Sequence, residues 1–289
     1  QEVSELLAEI TTVGKKEVNK VYDPACGSGS LLLKFVKVLG KENVRQGFFG
    51  QEINLTIYNL CRINMFLHDI NYNHFDIAHG DTLTDPKHWD DEPFDAIVSN
   101  PPYSIRWEGD NNSLLINDPR FSPAGVLAPK SKADLAFTMH MLSWLSTSGT
   151  AAIVEFPGVL YRGGAEQKIR KYLIDNNYID AVIQLPPDLF FGTTIATCII
   201  VLKKSKKDNK TLFIDASAEF VRGGNKNKLS DENRAKILKA FTKRTDMAHF
   251  AKLVGNKTIE ENGYNIAVST YVAQKDTREV IDIKKLNAE

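Results

Sequence analysis

Apolar runs alternate with helix-like patterns over the first 200 residues of the chain. Short apolar runs rich in β-branched residues predict strands, and apolar positions three and four residues apart predict helices. The predicted strands are 21–26, 47–53, 75–79, 94–99, 151–156, 179–185 and 197–203. The predicted helices are 30–39, 55–67, 133–145 and 165–175. This alternation favours an α/β fold built on a doubly wound, mostly parallel sheet.

The pattern weakens after residue 203. One more strand is predicted at 211–215 and a capped, basic helix at 230–243, and the polar end of the chain is expected to be peripheral. A long segment, 104–132, separates a predicted strand from a predicted helix. Loops of that length in compact domains are usually functional or disordered.

Charge is balanced overall but uneven along the chain. The 36 basic and 36 acidic residues cancel, which argues against coating a polyanion by bulk charge but not against a local basic surface. Residues 80–118 hold nine acids and two bases, whereas 203–244 hold thirteen bases and five acids. Each stretch could simply be a solvated face. The basic stretch could instead bind a polyanion. Three scattered cysteines and the lack of a membrane-length apolar stretch predict a cytoplasmic protein.

A glycine-rich loop, DPACGSGS at 23–30, connects the first predicted strand to the first predicted helix. Glycines such as Gly27 let a ligand approach a backbone that a Cβ would shield. Glu52 ends the next strand, where a ribose diol would lie in a doubly wound nucleotide site. Asp81 follows the third strand and can accept a hydrogen bond from an adenine amino group, although aspartate there equally suits a plain turn.

The chemistry of this loop separates two kinds of nucleotide cofactor. A dinucleotide site uses a third glycine and a helix N-terminus free of negative charge for the pyrophosphate. Here the third position is Leu32, and Asp23 stands at the mouth of the loop, where it would oppose a pyrophosphate. Because a carboxylate suits a cationic ligand, we favour S-adenosyl-L-methionine, with its sulfonium and ammonium groups, over a nicotinamide cofactor.

The tetrapeptide Asn100-Pro101-Pro102-Tyr103 follows a predicted strand directly. The lone pair of a planar amino nitrogen is delocalised, so two acceptors on its hydrogens are needed to aim that lone pair at a methyl donor. The Asn100 side-chain oxygen and the Pro101 carbonyl are candidates, and the two prolines fix φ and hold them in place. Tyr103 offers an aromatic face for stacking. The plainer interpretation is a strand stopped by a Pro-Pro turn.

Together these segments resemble the ordered motifs of amino-group DNA methyltransferases. Four later segments narrow the resemblance to the modification (methylase) subunit of type I restriction-modification systems. They are DPRF at 118–121, APKSKADLAF at 128–137, GVLYRGG at 158–164 and LPPDLFFGTTI at 185–195. The resemblance runs from residue 1 to about residue 272.

The resemblance implies a class I, Rossmann-like fold with seven strands and adenine N6 methylation in DNA. It assigns cofactor contacts to Ser28, Gly29, Ser30, Glu52 and Asp81, and catalysis to Asn100, Pro101, Pro102 and Tyr103. It also implies partners: double-stranded DNA with a flipped adenine, a specificity subunit that chooses the target sequence, and a motor-nuclease (restriction) subunit. Phe190 and Phe191 either line the pocket of the flipped base or belong to the core.

Members of this family also carry an N-terminal helical domain and a C-terminal extension. We therefore expect a catalytic-domain fragment, in which residues 2–7 continue a helix of the preceding segment. We divide the chain into a methyltransferase domain, 1–205, and a basic extension, 206–289, that packs on it or extends it.

Three other functions stay open at this point. The same tetrapeptide could methylate a protein glutamine or an RNA amino group, because the chemistry of the nitrogen is the same. A chain of this length could instead be a non-catalytic assembly subunit. No metal site is predicted, since the cysteines and histidines lack zinc-ligand spacing.

Overall fold

The structure, a computed structural model, describes residues 2–190 and 193–275. The strands in this part of the chain are β1 (Val18–Asp23), β2 (Val44–Glu52), β3 (Phe75–His79), β4 (Phe94–Ser99), β5 (Leu145–Glu155), β6 (Ile179–Gln184), β7 (Cys198–Lys203), β8 (Lys210–Asp215), β9 (Val221–Gly223), β10 (Lys226–Lys228) and β11 (Ala251–Gly255). Nine of them form one sheet in the order β11-β8-β6-β7-β5-β4-β1-β2-β3, and β9 and β10 form a hairpin.

The sheet is mostly parallel. Strand β7 runs antiparallel to β5 and β6, and β11 runs antiparallel to β8, whereas the other neighbours are parallel. This confirms the predicted doubly wound α/β sheet. The sheet has two strands more than the expected seven, because β8 adds to β6 and β11 then adds to β8.

Helices cover both faces of the sheet. They are α1 (Glu2–Thr11), α2 (Leu32–Leu39), α3 (Leu55–Leu67), α4 (Asp134–Trp144), α5 (Ala165–Asp175), α6 (Asp231–Lys243) and α7 (Asn256–Glu261). Helices α1, α2, α3 and α6 supply one apolar cluster, and α4, α5 and α7 supply the other. In β1, Val21 belongs to the first cluster and Tyr22 to the second, as alternation along a strand buried on both faces requires. Among the described residues, no helix combines the length and the apolar character that crossing a membrane demands.

Residues 251–272 are not peripheral, contrary to the expectation for the end of the chain, and residues 276–289 lie outside the described residues. Strand β11 pairs with β8 over five residues, and Ile259, Ile266 and Val268 are each at most 1% exposed. The hydrophobic pattern of β11 is weak, because the strand is short, lies at the edge of the sheet and includes the exposed Lys252. Strand β11 is stabilised by pairing with β8, and the local sequence pattern does not predict that pairing.

The order of the sheet reverses between β1 and β4. From β1 the chain adds β2 and β3 on one side, and it then crosses to add β4 and β5 on the other. Helices leave opposite faces at such a point, so the loops after β1 and β4 diverge and leave a crevice at the carboxyl ends of the strands.

Candidate active site

A cavity of about 340 Å³ occupies this crevice, and we call it the switch-point cavity. Its volume lies within the range of small-molecule sites, roughly 300–1,000 Å³. The lining residues are Pro24, Ala25, Gly27, Gln51, Glu52, Ile53, Gly80, Asp81, Thr82, Leu83, Asn100, Pro102, Ile105, Arg106, Trp107 and Phe137. The topology thus brings together one predicted residue at or after the end of each of four strands: Gly27, Glu52, Asp81 and Asn100.

A hydrogen bond connects Gly27 in the glycine loop to Glu52 at the end of β2. The Gly27 N–H donates to Glu52 Oε2 at 3.0 Å, and the Asn54 N–H donates to Glu52 Oε1 at 2.8 Å. Gly27 has φ +53°, and a Cβ built on it would meet no atom within 4 Å. The loop therefore presents bare backbone to open space beside a fixed carboxylate.

The next part of the glycine loop faces the protein instead. Gly29 has φ +80°, and a Cβ there would lie 2.8 Å from Cys61 Sγ and 2.9 Å from Met65 Cε, both on α3. The Ser28 carbonyl accepts from Asn64 Nδ2 at 2.9 Å, and Ser30 lines a different surface depression. Ser28, Gly29 and Ser30 are absent from the lining of the switch-point cavity, so their cofactor contacts stay predictions.

Asp23 lies beneath the loop. It is 2% exposed, and its Oδ1 accepts from the Ala25 N–H at 2.9 Å and from the Ser99 hydroxyl at 3.0 Å. Burial raises the pKa of Asp23 to about 7, and these two hydrogen bonds oppose the rise. Asp23 therefore changes charge near neutral pH, close to the cavity but outside its lining.

The turn after β3 forms another wall. Asp81 Oδ1 accepts from the Leu83 N–H at 2.9 Å. The Thr82 hydroxyl donates to the Pro24 carbonyl at 2.5 Å, which joins this turn to the glycine loop. Both hydrogen bonds are made within the protein. Asp81 still lines the cavity.

The tetrapeptide ends β4 at the cavity rim. Asn100 and Pro102 line the cavity, whereas Pro101 is buried and Tyr103 is half-buried against the core. The Tyr103 hydroxyl donates to Asn100 Oδ1 at 2.5 Å. An amide oxygen has two lone pairs, so this bond orients the Asn100 side chain and leaves one acceptor position free. Burial, assisted by the nearby Glu155, raises the pKa of Tyr103, which remains a hydroxyl donor.

Sequence reasoning missed the wall opposite the glycine loop. Ile105, Arg106 and Trp107 come from the long 104–132 segment, and Phe137 comes from α4. Asp134, which begins α4 and is 1% exposed, accepts from the Ser104 N–H at 2.9 Å and so holds the backbone just after the tetrapeptide. The length of the segment was the available signal, but length does not say which of its residues return to the site.

Residues 187 and 188 are bonded to the β9–β10 hairpin. Asp188 adopts φ +61°, and its carboxylate pairs with Lys226 at 2.7 Å and Arg222 at 3.2 Å. Phe190 is partly buried against the core, which favours the core-packing alternative for this residue. Phe191 and Gly192 lie outside the described residues.

The basic stretch 203–244 is largely bonded to the protein itself. Eight of its thirteen basic side chains make ion pairs or hydrogen bonds within the chain, namely Lys203, Lys204, Lys206, Arg222, Lys226, Arg234, Lys236 and Arg244. Six of these eight side chains pair with a carboxylate, and charges neutralised in this way add little to the attraction of a polyanion. The interpretation as an intact basic docking face is therefore weakened.

The sequence is similar to those of known proteins. A sequence model of the N-6 DNA Methylase family matches residues 1–280. The methylase subunit of the type I restriction enzyme MpnII from Mycoplasma pneumoniae is 53% identical, over 99% of this chain and 54% of that protein. The methylase subunit of MjaVII from Methanocaldococcus jannaschii is 33% identical, over 98% of this chain and 50% of that protein.

The chain is also similar to a solved structure. The methyltransferase subunit of a type I restriction-modification system from Streptococcus thermophilus superposes with a TM-score of 0.90 at 42% identity. The match covers 94% of this chain and 58% of that one. This chain therefore spans about half the length of the curated relatives that it matches.

Proposed function

This chain belongs to the N-6 DNA methylase family, and on that premise we propose that it transfers a methyl group from S-adenosyl-L-methionine to adenine N6 in DNA. Its fold is the class I methyltransferase fold. We assign to it the catalytic role in the modification subunit of a type I restriction-modification complex. One observation carries the assignment: the Asn100 amide shares a single cavity with Gly27, Glu52 and Asp81.

The residues of the cavity fit the proposed cofactor. The open backbone at Gly27 leaves room for a ligand in van der Waals contact, and Glu52 offers carboxylate oxygens to a ribose diol. Asp81 offers an acceptor to an adenine amino group. Helix α2 begins only at Leu32, without a side-chain cap, and the Glu52 carboxylate, which accepts from the Gly27 N–H, would repel a pyrophosphate. When bound, the cofactor supplies an electrophilic methyl group on a sulfonium.

The tetrapeptide supplies the other half of the chemistry. Asn100 Oδ1 accepts one N6 hydrogen through its free lone pair, and the Pro101 carbonyl accepts the other. Two acceptors so placed draw the nitrogen away from planarity and aim its lone pair at the methyl group. The buried Pro101 and the bond from Tyr103 keep both oxygens in place before the substrate arrives. No strong general base is needed, because the methylated ammonium loses its proton readily.

The substrate geometry follows from the site. An amino group inside a duplex cannot reach Asn100, so the target adenine must leave the base stack, at a cost of a few kcal/mol. The half-buried ring of Tyr103 offers a stacking face for that base. We assign target choice to a separate specificity subunit and cleavage to a restriction subunit, and we place the complex in the cytoplasm. Residues 206–275 contribute β8 and β11 to the catalytic sheet, which supports assigning them as an extension of the methyltransferase domain.

Product analysis of labelled methyl transfer tests this proposal. The protein, assembled with the specificity subunit of its system, would be incubated with tritiated S-adenosyl-L-methionine and one of three substrates: duplex DNA, an RNA of the same sequence, or a glutamine-containing peptide. We expect the label only in DNA, as N6-methyladenine after digestion to nucleosides. Label in the peptide or in RNA would replace the assignment with one of those substrates, and no cofactor binding by the chain would favour an assembly subunit.

A further inference from the structure

A buried arginine connects the two walls of the switch-point cavity. Arg120 belongs to the DPRF motif in the 104–132 segment, yet it is only 1% exposed. It lines no part of the cavity itself. A buried guanidinium is stable only when its charge and its N–H groups are compensated, so its partners indicate what the motif is for.

All five N–H donors of Arg120 have acceptors. Nε and Nη2 donate to the carboxylate of Asp118 at 3.0 and 2.8 Å. Nη1 donates to the Thr82 carbonyl and Nη2 to the Leu83 carbonyl, both at 2.7 Å. The remaining Nη1 donor contacts His140 Nδ1 at 3.1 Å. Burial, together with the Arg120 charge, lowers the pKa of His140, so this imidazole stays neutral and can accept.

The contact with Thr82 reaches Asp81 through one peptide unit. Arg120 holds the carbonyl of the Thr82–Leu83 peptide, and the N–H of that same peptide donates to Asp81 Oδ1 at 2.9 Å. A peptide unit is planar and rigid. Fixing its oxygen therefore fixes the direction of its N–H, and with it the orientation of the Asp81 carboxylate.

The other side of Arg120 reaches the opposite wall. The Phe121 ring lies under the guanidinium, 4.6 Å from it. Trp107, which lines the cavity, packs edge-to-face on Phe121 with ring centroids 5.4 Å apart. Arg120 thus joins the turn that carries Asp81 to the segment that carries Trp107.

We propose that Arg120 is a positioning residue for cofactor recognition: through the Thr82–Leu83 peptide it orients Asp81 to accept the 6-amino group of the cofactor's adenine. This inference rests on the proposed function. The DPRF motif, on this account, sets the discrimination of the site for adenine over purines that lack the amino group.

Two ligands separate this role from a purely structural one. Isothermal titration calorimetry would compare S-adenosylhomocysteine with its analogue lacking the 6-amino group. One hydrogen bond to a carboxylate gives the wild type a preference of about tenfold. In Arg120→Lys, which keeps the charge but not the five-donor fork, the preference should fall to less than about twofold, as in Asp81→Asn. A purely structural loss would weaken both ligands equally and leave the ratio unchanged.

Arg170→Lys is the matched control. Arg170 is also 1% exposed, and it donates to the Tyr264 and Val159 carbonyls at 2.8 and 2.9 Å, away from the cavity. This variant should lose comparable thermal stability and keep the wild-type ratio. Should Arg120→Lys fail to fold, Asp118→Asn keeps Arg120 and removes one charge from its clamp, and an intermediate ratio is expected.

The outcomes distinguish the two proposals. A wild-type ratio in Arg120→Lys, or in Asp118→Asn where the lysine variant does not fold, would overturn this inference alone. A wild type that binds neither ligand, or that binds both equally, would overturn the proposed cofactor site and this inference with it.

Discussion

The proposed chemistry requires the side-chain oxygen of Asn100, and not its nitrogen, to face the substrate. An amide presents either an acceptor or a donor, and only the oxygen can accept an amino hydrogen. The Tyr103 hydroxyl bonds to that oxygen at 2.5 Å. The tyrosine therefore has two separable parts, a hydroxyl that orients Asn100 and a ring that we propose as the stacking face for the base.

Substituting Tyr103 separates these parts. Tyr103→Phe keeps the ring, so we expect the rate of methyl transfer to fall by about tenfold or less, the value of one hydrogen bond. Tyr103→Ala also loses the stacking face, worth about 1–3 kcal/mol per base, so its KM for DNA should rise by a further tenfold or more. Steady-state kinetics on the assembled complex measures both. Equal effects of the two substitutions would argue against a stacking role.

We expect Asp23 to make cofactor binding depend on pH. Its pKa is raised to about 7 by burial, so the carboxyl is mostly neutral at pH 6 and mostly ionised above pH 7. A cationic ligand stabilises the ionised form, so the affinity for S-adenosyl-L-methionine should rise between pH 6 and 7.5, by no more than about tenfold per pH unit. Above that window the cofactor's own amino group, with a pKa of about 8, begins to lose its charge.

Calorimetry at several pH values checks this expectation. Asp23→Asn keeps an oxygen acceptor for the Ala25 N–H and the Ser99 hydroxyl but cannot ionise. Its affinity should be flat over the same pH range and match that of the wild type most closely at pH 6. A slope that persists in Asp23→Asn would assign the pH dependence to another group.

Among the secondary-structure connections, the glycine loop contains two glycines with different surroundings. Gly29 packs its α-carbon against α3, where a methyl group would lie 2.8 Å from Cys61 Sγ. Gly27 faces open space and lines the cavity. Both have positive φ, so alanine costs each about 1 kcal/mol of backbone strain, and only the surroundings distinguish them.

A matched pair of alanine substitutions exploits that difference. Gly29→Ala should lose about 2–4 kcal/mol of unfolding free energy, because overpacking adds to the strain. Gly27→Ala should lose about 1 kcal/mol yet bind S-adenosyl-L-methionine at least about tenfold more weakly, because its methyl group occupies ligand space. Urea unfolding and calorimetry measure the two effects. The opposite pattern, with Gly27→Ala the less stable protein, would contradict the placement of the loop.

Local signals predicted some elements well. Helix α3 begins and ends where the pattern placed it, because Asn54 accepts from the Thr56 and Ile57 N–H groups and starts the first turn. Strands β3 and β4 and helix α5 also have the predicted bounds. Helix α1 covers the 2–7 segment and continues to Thr11. Strand β11 and the β9–β10 hairpin were missed, because pairing between distant or very short segments defines them.

At the scale of the whole molecule, topology assembles the site from residues far apart in the chain. Strand ends near 23, 52, 80 and 100 were predictable, because the carboxyl ends of parallel strands meet at one edge of the sheet. The return of Trp107 and Phe137 to the cavity was not predictable, since it depends on how the 104–132 segment folds over that edge. The ion pairs of the basic stretch with Asp180, Asp188 and Glu219 could not be predicted from the number of charged residues either.

The most direct test of the central claim is single-turnover methyl transfer by Asn100→Ala in the assembled complex, with cofactor affinity measured on the same sample. We expect formation of N6-methyladenine to slow by at least about 10²–10³-fold, the usual loss when one preorganised group at the reacting atom is removed. The affinity for S-adenosyl-L-methionine should change by less than about threefold, because no cofactor contact is assigned to this side chain. Transfer at the wild-type rate by Asn100→Ala, with the cofactor bound, would show that Asn100 does not activate the adenine amino group.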